Sequence, residues 1–497
     1  MTDASVLSNL LVGLRADNLL ACFVGVVLGT LVGVLPGLGP AAAMALVLPL
    51  TSHVAPTAGL IMLAGIYYGA QYGGSTTAIL VNLPGETSAV VTCMDGYQMA
   101  RQGRAGPALA IAAIGSFFAG TVCTLIIALF GPPLAEVALK FGAPEYFSLM
   151  LMGLVAAAVL AGDNMTKSLA MVVMGLLLGI VGTDVNSGMA RFSFGIPELT
   201  DGIGFIVIAV GVFAMGEIIA NLGDPEERAV FTSKVTGLMP TKKDLKDSFW
   251  PIVRGTGIGA FLGVLPGTGP AIASFSSYML EKKMAKDPSR FGKGAIEGVA
   301  GPESANNADA QCKFIPTLTL GIPASAVMAL MLGALTIQGI APGPQVMTQK
   351  PELFWGLVAS MWIGNAMLVI LNLPLVGLWV MLLKVPYRLL FPAIMCFSCI
   401  GIYSVNNSPF EVYMASIFAL IGLVWMKLEM PPAPMLLGFV LGPLMEENLR
   451  RALLISRGDP TVFFTRPISL GFMIATVLII VIMVLPAVKA RRAAIAG

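Results

Sequence analysis

Two five-residue strings, Pro36-Gly37-Leu38-Gly39-Pro40 and Pro266-Gly267-Thr268-Gly269-Pro270, carry no acid, base or strong nucleophile. Their chemistry is that of exposed backbone. A proline-glycine break in an apolar segment frees N–H and C=O groups that hydrocarbon cannot satisfy, so it survives only when buried in protein or lining a wet cavity. Pro40 and Pro270 suit the first turn of the helix that follows, whose N-terminus carries unpaired N–H groups and the positive end of the helix dipole. That end attracts anions. Gly37, Gly39, Gly267 and Gly269 let a carboxylate approach the backbone with no side chain intervening, and the Thr268 hydroxyl adds a donor. A kinked packing helix is the plain alternative for one such string, and duplication argues against it.

A second polar set lies further along. Tyr72-Gly73-Gly74-Ser75-Thr76-Thr77 leads to Asn82-Leu83-Pro84-Gly85-Glu86, and Gly301-Pro302-Glu303-Ser304-Ala305-Asn306-Asn307 leads to Gly321-Ile322-Pro323-Ala324-Ser325. Hydroxyls and amides beside proline breaks serve as hydrogen-bond partners for substrate or as oxygen ligands for an alkali cation. Ser75, Thr76, Asn306 and Asn307 join the two breaks as candidate substrate contacts, and Thr77, Asn82, Ser304 and Ser325 are candidate ligands for a coupling ion. For Glu303 to Asn307 the bland reading is a capped loop at the membrane surface. Asp309 and Lys313 are four apart and would share a helix face, neutralising each other.

The elements that must hold these residues are apolar. Of 497 residues, 57% are hydrophobic and 11% charged, against about 25% charged in an ordinary soluble domain. The apolar residues run in long uncharged stretches rather than at amphipathic spacing. This excludes a soluble globular enzyme. A bilayer span needs about 20 residues, which gives about 10–14 membrane segments. The net charge of +2 points to no nucleic acid. A single histidine, His53, excludes His-based zinc sites, and no transition metal is expected. No phosphate-binding G-x-x-x-x-G-K-[ST] string occurs, so the chain is not expected to hydrolyse ATP. Cys396 and Cys399, the one close pair of six cysteines, have no neighbour to activate a thiolate. The N-terminus has no basic region or convincing cleavage site ahead of its apolar stretch and is read as retained.

Internal repetition organises the chain. Residues 25–41 and 255–271 are identical at ten of 17 positions. A weaker echo pairs Ala70-Gln71 with Ala310-Gln311 and Leu83-Pro84 with Ile322-Pro323. The expected organisation is an N-terminal segment (1–17), a first membrane repeat (18–222), a basic cytoplasmic linker (223–253), a second membrane repeat (254–445), and a C-terminal loop with a final transmembrane helix (446–497). Gly25, Gly29 and Gly33 recur every four residues, as do Gly255, Gly259 and Gly263, a spacing that lets helices touch backbone to backbone.

Charge suggests orientation. Basic residues crowd 223–254 and 281–303, which the positive-inside rule puts in the cytoplasm. The 26 uncharged residues between them, 255–280, would then form a hairpin rather than a span. Its arms of 11 and 10 residues are about 15 Å long each, about half the hydrocarbon core. From Asn18 to Gly85 there is no charged residue, so nothing holds the equivalent hairpin to the cytoplasm. The expected architecture is an all-α polytopic membrane protein with two inverted-topology repeats and broken, re-entrant helical hairpins. This is the plan of secondary transporters, whose sites lie where broken helices meet. An intramembrane enzyme and a channel are the alternatives, and no nucleophile-base pair favours the enzyme.

The twin GVLPGxGP strings (33–40 and 263–270), YYGAQYGGSTTAIL (67–80), GPESANN (301–307) and PTLTLGIP (316–323) together resemble the large permease subunit of the tripartite tricarboxylate transporters, over essentially the whole chain. The resemblance implies a multi-pass protein of the bacterial inner membrane that is not an enzyme and has no cofactor. It implies a small four-helix membrane subunit and a periplasmic solute-binding protein as partners, a carboxylate substrate, and coupling to Na⁺ or H⁺.

Overall fold

The computed structural model describes residues 3–35, 39–82, 84–160, 164–184, 187–221, 237–382 and 387–484. These are almost entirely helical, with one two-stranded hairpin pairing Gly182 with Arg191 and Thr183 with Ala190. The principal helices are α1 (Asp3–Val12), α2 (Ala16–Val34), α3 (Pro40–Thr51), α4 (Pro56–Val81), α5 (Ala105–Ala138), α6 (Ala143–Leu160) and α7 (Met165–Gly179). α8 (205–221) includes a π-helical stretch, Ala209–Gly216. There follow α9 (Lys242–Gly263), α10 (Pro270–Met284), α11 (Glu297–Cys312), α12 (Phe314–Leu320), α13 (Ala326–Ile337), α14 (Pro351–Asn372), α15 (Tyr387–Asn406), α16 (Pro409–Lys427), α17 (Pro432–Ile455) and α18 (Pro467–Val484).

Among the described residues four helices are long and apolar enough to cross a bilayer: α2, α5, α14 and α16. Seven shorter apolar helices accompany them. Leu129, Phe130, Phe261, Leu420 and Leu478 stand exposed, as befits a surface solvated by hydrocarbon chains. The chain is a polytopic helical membrane protein.

The repeated glycines set the closest contacts. A Cβ at Gly25, Gly29 or Gly33 would stand 2.4, 2.4 or 2.2 Å from the carbonyl oxygens of Met62, Ile66 and Ala70 on α4. A Cβ at Gly255, Gly259 or Gly263 would stand 2.2, 2.1 or 2.5 Å from those of Gly301, Ala305 and Asp309 on α11. Both are backbone-on-backbone contacts, as the spacing predicts. They also correct the weaker echo: Ala70 answers Asp309, not Ala310. The same register carries the left-handed residue that ends α4, Asn82 (φ 59°), onto the one that ends α12, Gly321 (φ 71°), with Pro84 and Pro323 two residues on.

The halves interlock. α5, from the first, packs on α9, α11 and α12, whereas α14, from the second, packs on α2 and α4. The helix after each break likewise meets the opposite half: α3 packs on α13, and α10 packs on residues 87–92.

The second break differs from its sequence reading. Its arms are helices of 22 and 15 residues, not 11 and 10. Counting uncharged residues stopped at Arg254, but the helix continues back through polar turns to a capping box, in which the Thr241 hydroxyl accepts from the Asp244 N–H and the Asp244 carboxylate accepts from the Thr241 N–H. Arg104 pairs with the same Asp244 at 2.5 Å. α9 therefore begins inside the expected linker, whose residues 223–236 lie outside the described residues.

Candidate functional site

Each break ends one helix and starts another. At the first, α2 closes at Val34, Gly39 is the extended residue before α3, and Pro40 opens it; Pro36, Gly37 and Leu38 lie outside the described residues. Gly39 has no side chain with which to cap α3. Instead the Gly39 N–H donates to Glu217 Oε1 at 3.0 Å, and a Cβ on Gly39 would stand 3.4 Å from that oxygen. A carboxylate from α8 thus sits at the start of α3, where the dipole favours it.

The second break repeats the frame with different contacts. After Pro266, Gly267 has φ +80°, its N–H donates to the Ala324 carbonyl at 3.0 Å, and a Cβ would stand 2.7 Å from the Ala156 carbonyl oxygen. Here the glycine is required by backbone geometry and by the close approach of α6. Thr268 donates to the carbonyls of Leu262 and Leu265 at 2.6 and 2.8 Å. Its hydroxyl hydrogen closes the end of α9 and is not directed at a ligand. Gly269 precedes Pro270, the first residue of α10, and a Cβ there would meet nothing within 4 Å.

A polar layer lies between α4, residues 86–92, α11 and α5. Ser75 Oγ donates to Glu303 Oε2 at 2.5 Å, and the Thr92 hydroxyl donates to Glu303 Oε1. Asn307 Nδ2 donates to Ser116 Oγ at 2.7 Å and to the Glu303 carbonyl at 3.0 Å. Glu86 Oε1 accepts from Ser88 Oγ at 2.5 Å and from Asn306 Nδ2 at 3.3 Å, and Ser88 also reaches Gln71 Oε1 at 3.3 Å. Thr76 is buried one residue from Ser75. Lys313 and Asp309 form an ion pair one turn apart with no exposure of either side chain, as their spacing predicts.

The layer draws together Ser75, Asn306 and Asn307 from the sequence candidates. Others are engaged locally: Thr77 donates to the Gly74 carbonyl, Ser304 to the Ala300 carbonyl, and Ser325 Oγ accepts from the Met328 N–H to cap α13. Asn82 is the exposed left-handed residue ending α4. The surface-loop reading of 303–307 is overturned, because all five residues are inside α11 and buried. Hydrogen bonds from α4, α5 and residue 92 replace water around them.

Glu217, Glu303, Glu86, Ser88, Thr92 and Ser116 were absent from the sequence candidates. The signal for the carboxylates was available, since an ionisable residue at membrane depth is costly and marks function by default. Ser88, Thr92 and Ser116 carried none before the fold was known.

The model of the tripartite tricarboxylate transporter TctA family matches residues 19–437. A 52.8 kDa protein of Agrobacterium vitis, described by its place in the TAR-I ttuC' 3' region, is 58% identical over 491 residues, 98% of each chain. A second from the same organism, in the TAR-II ttuC' 3' region, is 59% identical over 234 residues, 47% of this chain and 97% of its own. No solved structure matches the chain. The chain therefore belongs to the TctA family of tripartite tricarboxylate transporters.

Proposed function

We propose that this chain is the large membrane subunit of a secondary transporter that imports tricarboxylates or related carboxylates on a Na⁺ or H⁺ gradient. It works in the bacterial inner membrane with a small four-helix membrane subunit and a periplasmic solute-binding protein, which makes the first selection among solutes. The two halves act as inverted repeats whose breaks face one mid-membrane cavity, and substrate gains access from each side in turn. Carboxylates of the substrate bind at the starts of α3 and α10.

One observation carries this reading: the Gly39 N–H at the start of α3 already donates to a carboxylate, that of Glu217. A backbone that holds the chain's own carboxyl group in place has the donors, dipole and absence of side chain to hold a substrate's. The start of α10 has the same glycine-proline frame with open space around Gly269.

The test is reconstitution of the chain with both partners in proteoliposomes, reading carboxylate uptake together with ion flux. Uptake is expected only with the binding protein present, and ion flux only with substrate. Undiminished uptake without the binding protein, or flux without substrate, overturns the reading.

A further inference from the structure

Among the described residues Glu86 and Glu303 are carboxylates without a cationic partner. Glu303 is 1% exposed and Glu86 partly buried. Neither takes part in any of the ion pairs among the described residues. Lys313, at the junction of α11 and α12, is held by Asp309. The two carboxyl groups are neighbours: Asn306, three residues from Glu303 on α11, bonds Glu86, and Ser75, which bonds Glu303, follows Gly74, where a Cβ would stand 3.1 Å from Glu86 Cγ. A charge in such a place is costly unless a counter-charge accompanies it.

The amides beside them point the same way. Asn306 and Asn307 are 0% and 1% exposed. Their nitrogens are committed to Glu86, Ser116 and the Glu303 carbonyl, while Asn306 Oδ1 and Asn307 Oδ1 accept no hydrogen bond. A buried amide oxygen without a donor is itself unfavourable. One turn of α11 thus offers two unsatisfied neutral oxygens next to two carboxylates, a set of hard oxygen ligands suited to a hard cation. A single proton would supply one donor for these two acceptors and leave the second carboxylate ionised. Among the described residues no three His, Cys, Asp or Glu side chains converge to hold a divalent metal, and hydroxyl donors already meet both oxygens of Glu303 and one of Glu86, so a single monovalent charge suffices. The charge left over is shared by the hydroxyls of Ser75, Ser88 and Thr92.

A small crevice of about 10 Å³, lined by Tyr72, Ser75, Thr76, Ser116 and Asn372, adjoins this place. Two of its wall residues, Ser75 and Ser116, bond directly to Glu303 and Asn307. The residues next in line on α11, Ala305 and Asp309, are those on which Gly259 and Gly263 rest just ahead of the second break.

We propose that Glu86 and Glu303, with the side-chain oxygens of Asn306 and Asn307, form the coupling-cation site and that it takes Na⁺. This rests on the transport reading for the word coupling, and the binding test below does not. The purified full-length protein is unfolded by heat in NaCl, KCl or choline chloride at equal ionic strength and fixed pH, and ²²Na⁺ binding is measured in parallel. Na⁺ is expected to raise the unfolding temperature saturably and choline not at all. Glu303→Gln and Asn306→Ala are expected to weaken Na⁺ binding about tenfold or more. Should Glu303→Gln fail to fold, Asn307→Ala leaves both carboxylates in place and is expected to weaken Na⁺ about threefold to tenfold. Equal stability in all three salts, a dependence on pH without one on Na⁺, or Na⁺ affinity unchanged in the variants overturns the site. Na⁺ binding that meets these expectations without Na⁺-linked uptake upholds the cation site and overturns its coupling role.

Discussion

The two breaks share a backbone frame and differ in what meets it. At the first, α3 starts on a carboxylate that the chain supplies from α8, a residue 178 positions away. At the second, the space around Gly269 is open, and the threonine that distinguishes the string is turned back on the helix before it. A duplicated motif therefore places the same N–H groups twice, while elements outside the motif decide which are neutralised. On the proposed reading a substrate carboxylate competes with Glu217 at the first break and enters the second unopposed.

The frame itself is the largest effect to test. Gly259→Ala would force a Cβ to within 2.1 Å of the Ala305 carbonyl oxygen, and the displacement is expected to cost about 3 kcal/mol or more. It should appear as loss of monodisperse folded protein. Gly29→Ala, 2.4 Å from the Ile66 oxygen, should behave alike. Gly257→Ala, in the same helix with nothing within 4 Å, should stay within about 0.5 kcal/mol of the parent. If Gly259→Ala unfolds at the parent's temperature, the halves do not share a backbone contact and the comparison of their breaks loses its basis.

The second effect separates the open break from its packing. Gly269→Leu adds a side chain into open space and is expected to leave unfolding unchanged while lowering uptake about tenfold, since an anion at a helix start is worth about 1 to 2 kcal/mol. Gly267→Leu does not discriminate. The positive φ and the Ala156 carbonyl at 2.7 Å make loss of folded protein the expected outcome whether or not substrate binds there. Uptake by Gly269→Leu at the parent's rate would remove the start of α10 from the site.

What was legible in the sequence was what depends on neighbours along the chain. Glycines every four residues announce a helix contact because the missing Cβ is a local fact, and the doubled string announces two breaks for the same reason. The length of α9 was misjudged because charge ends a membrane count without ending a helix: the capping box at Thr241 and Asp244 carries the helix 13 residues before Gly255. The burial of Glu303 to Asn307 was not legible, since the partners that stand in for water, Ser75, Glu86, Thr92 and Ser116, come from other elements. Glu217 was invisible as a partner for Gly39 because only the fold brings α8 to the start of α3.

The smallest expected effect tests the closed break and bears most directly on the comparison. Glu217→Gln keeps an acceptor for the Gly39 N–H and removes the charge, so the fold should be retained and the start of α3 should become an anion seat. Affinity of the purified protein for citrate, read by calorimetry, is expected to rise about fivefold, or about 1 kcal/mol, the worth of a charge at a helix start. The double variant Glu217→Gln with Gly269→Leu makes the consequence specific. Opening the first break should recover binding that blocking the second has removed, because both present the same glycine-proline frame. If Glu217→Gln leaves citrate affinity unchanged, or if the double variant binds no better than Gly269→Leu alone, Glu217 fastens α8 to α3 without competing for a ligand seat, and the difference between the breaks is one of packing.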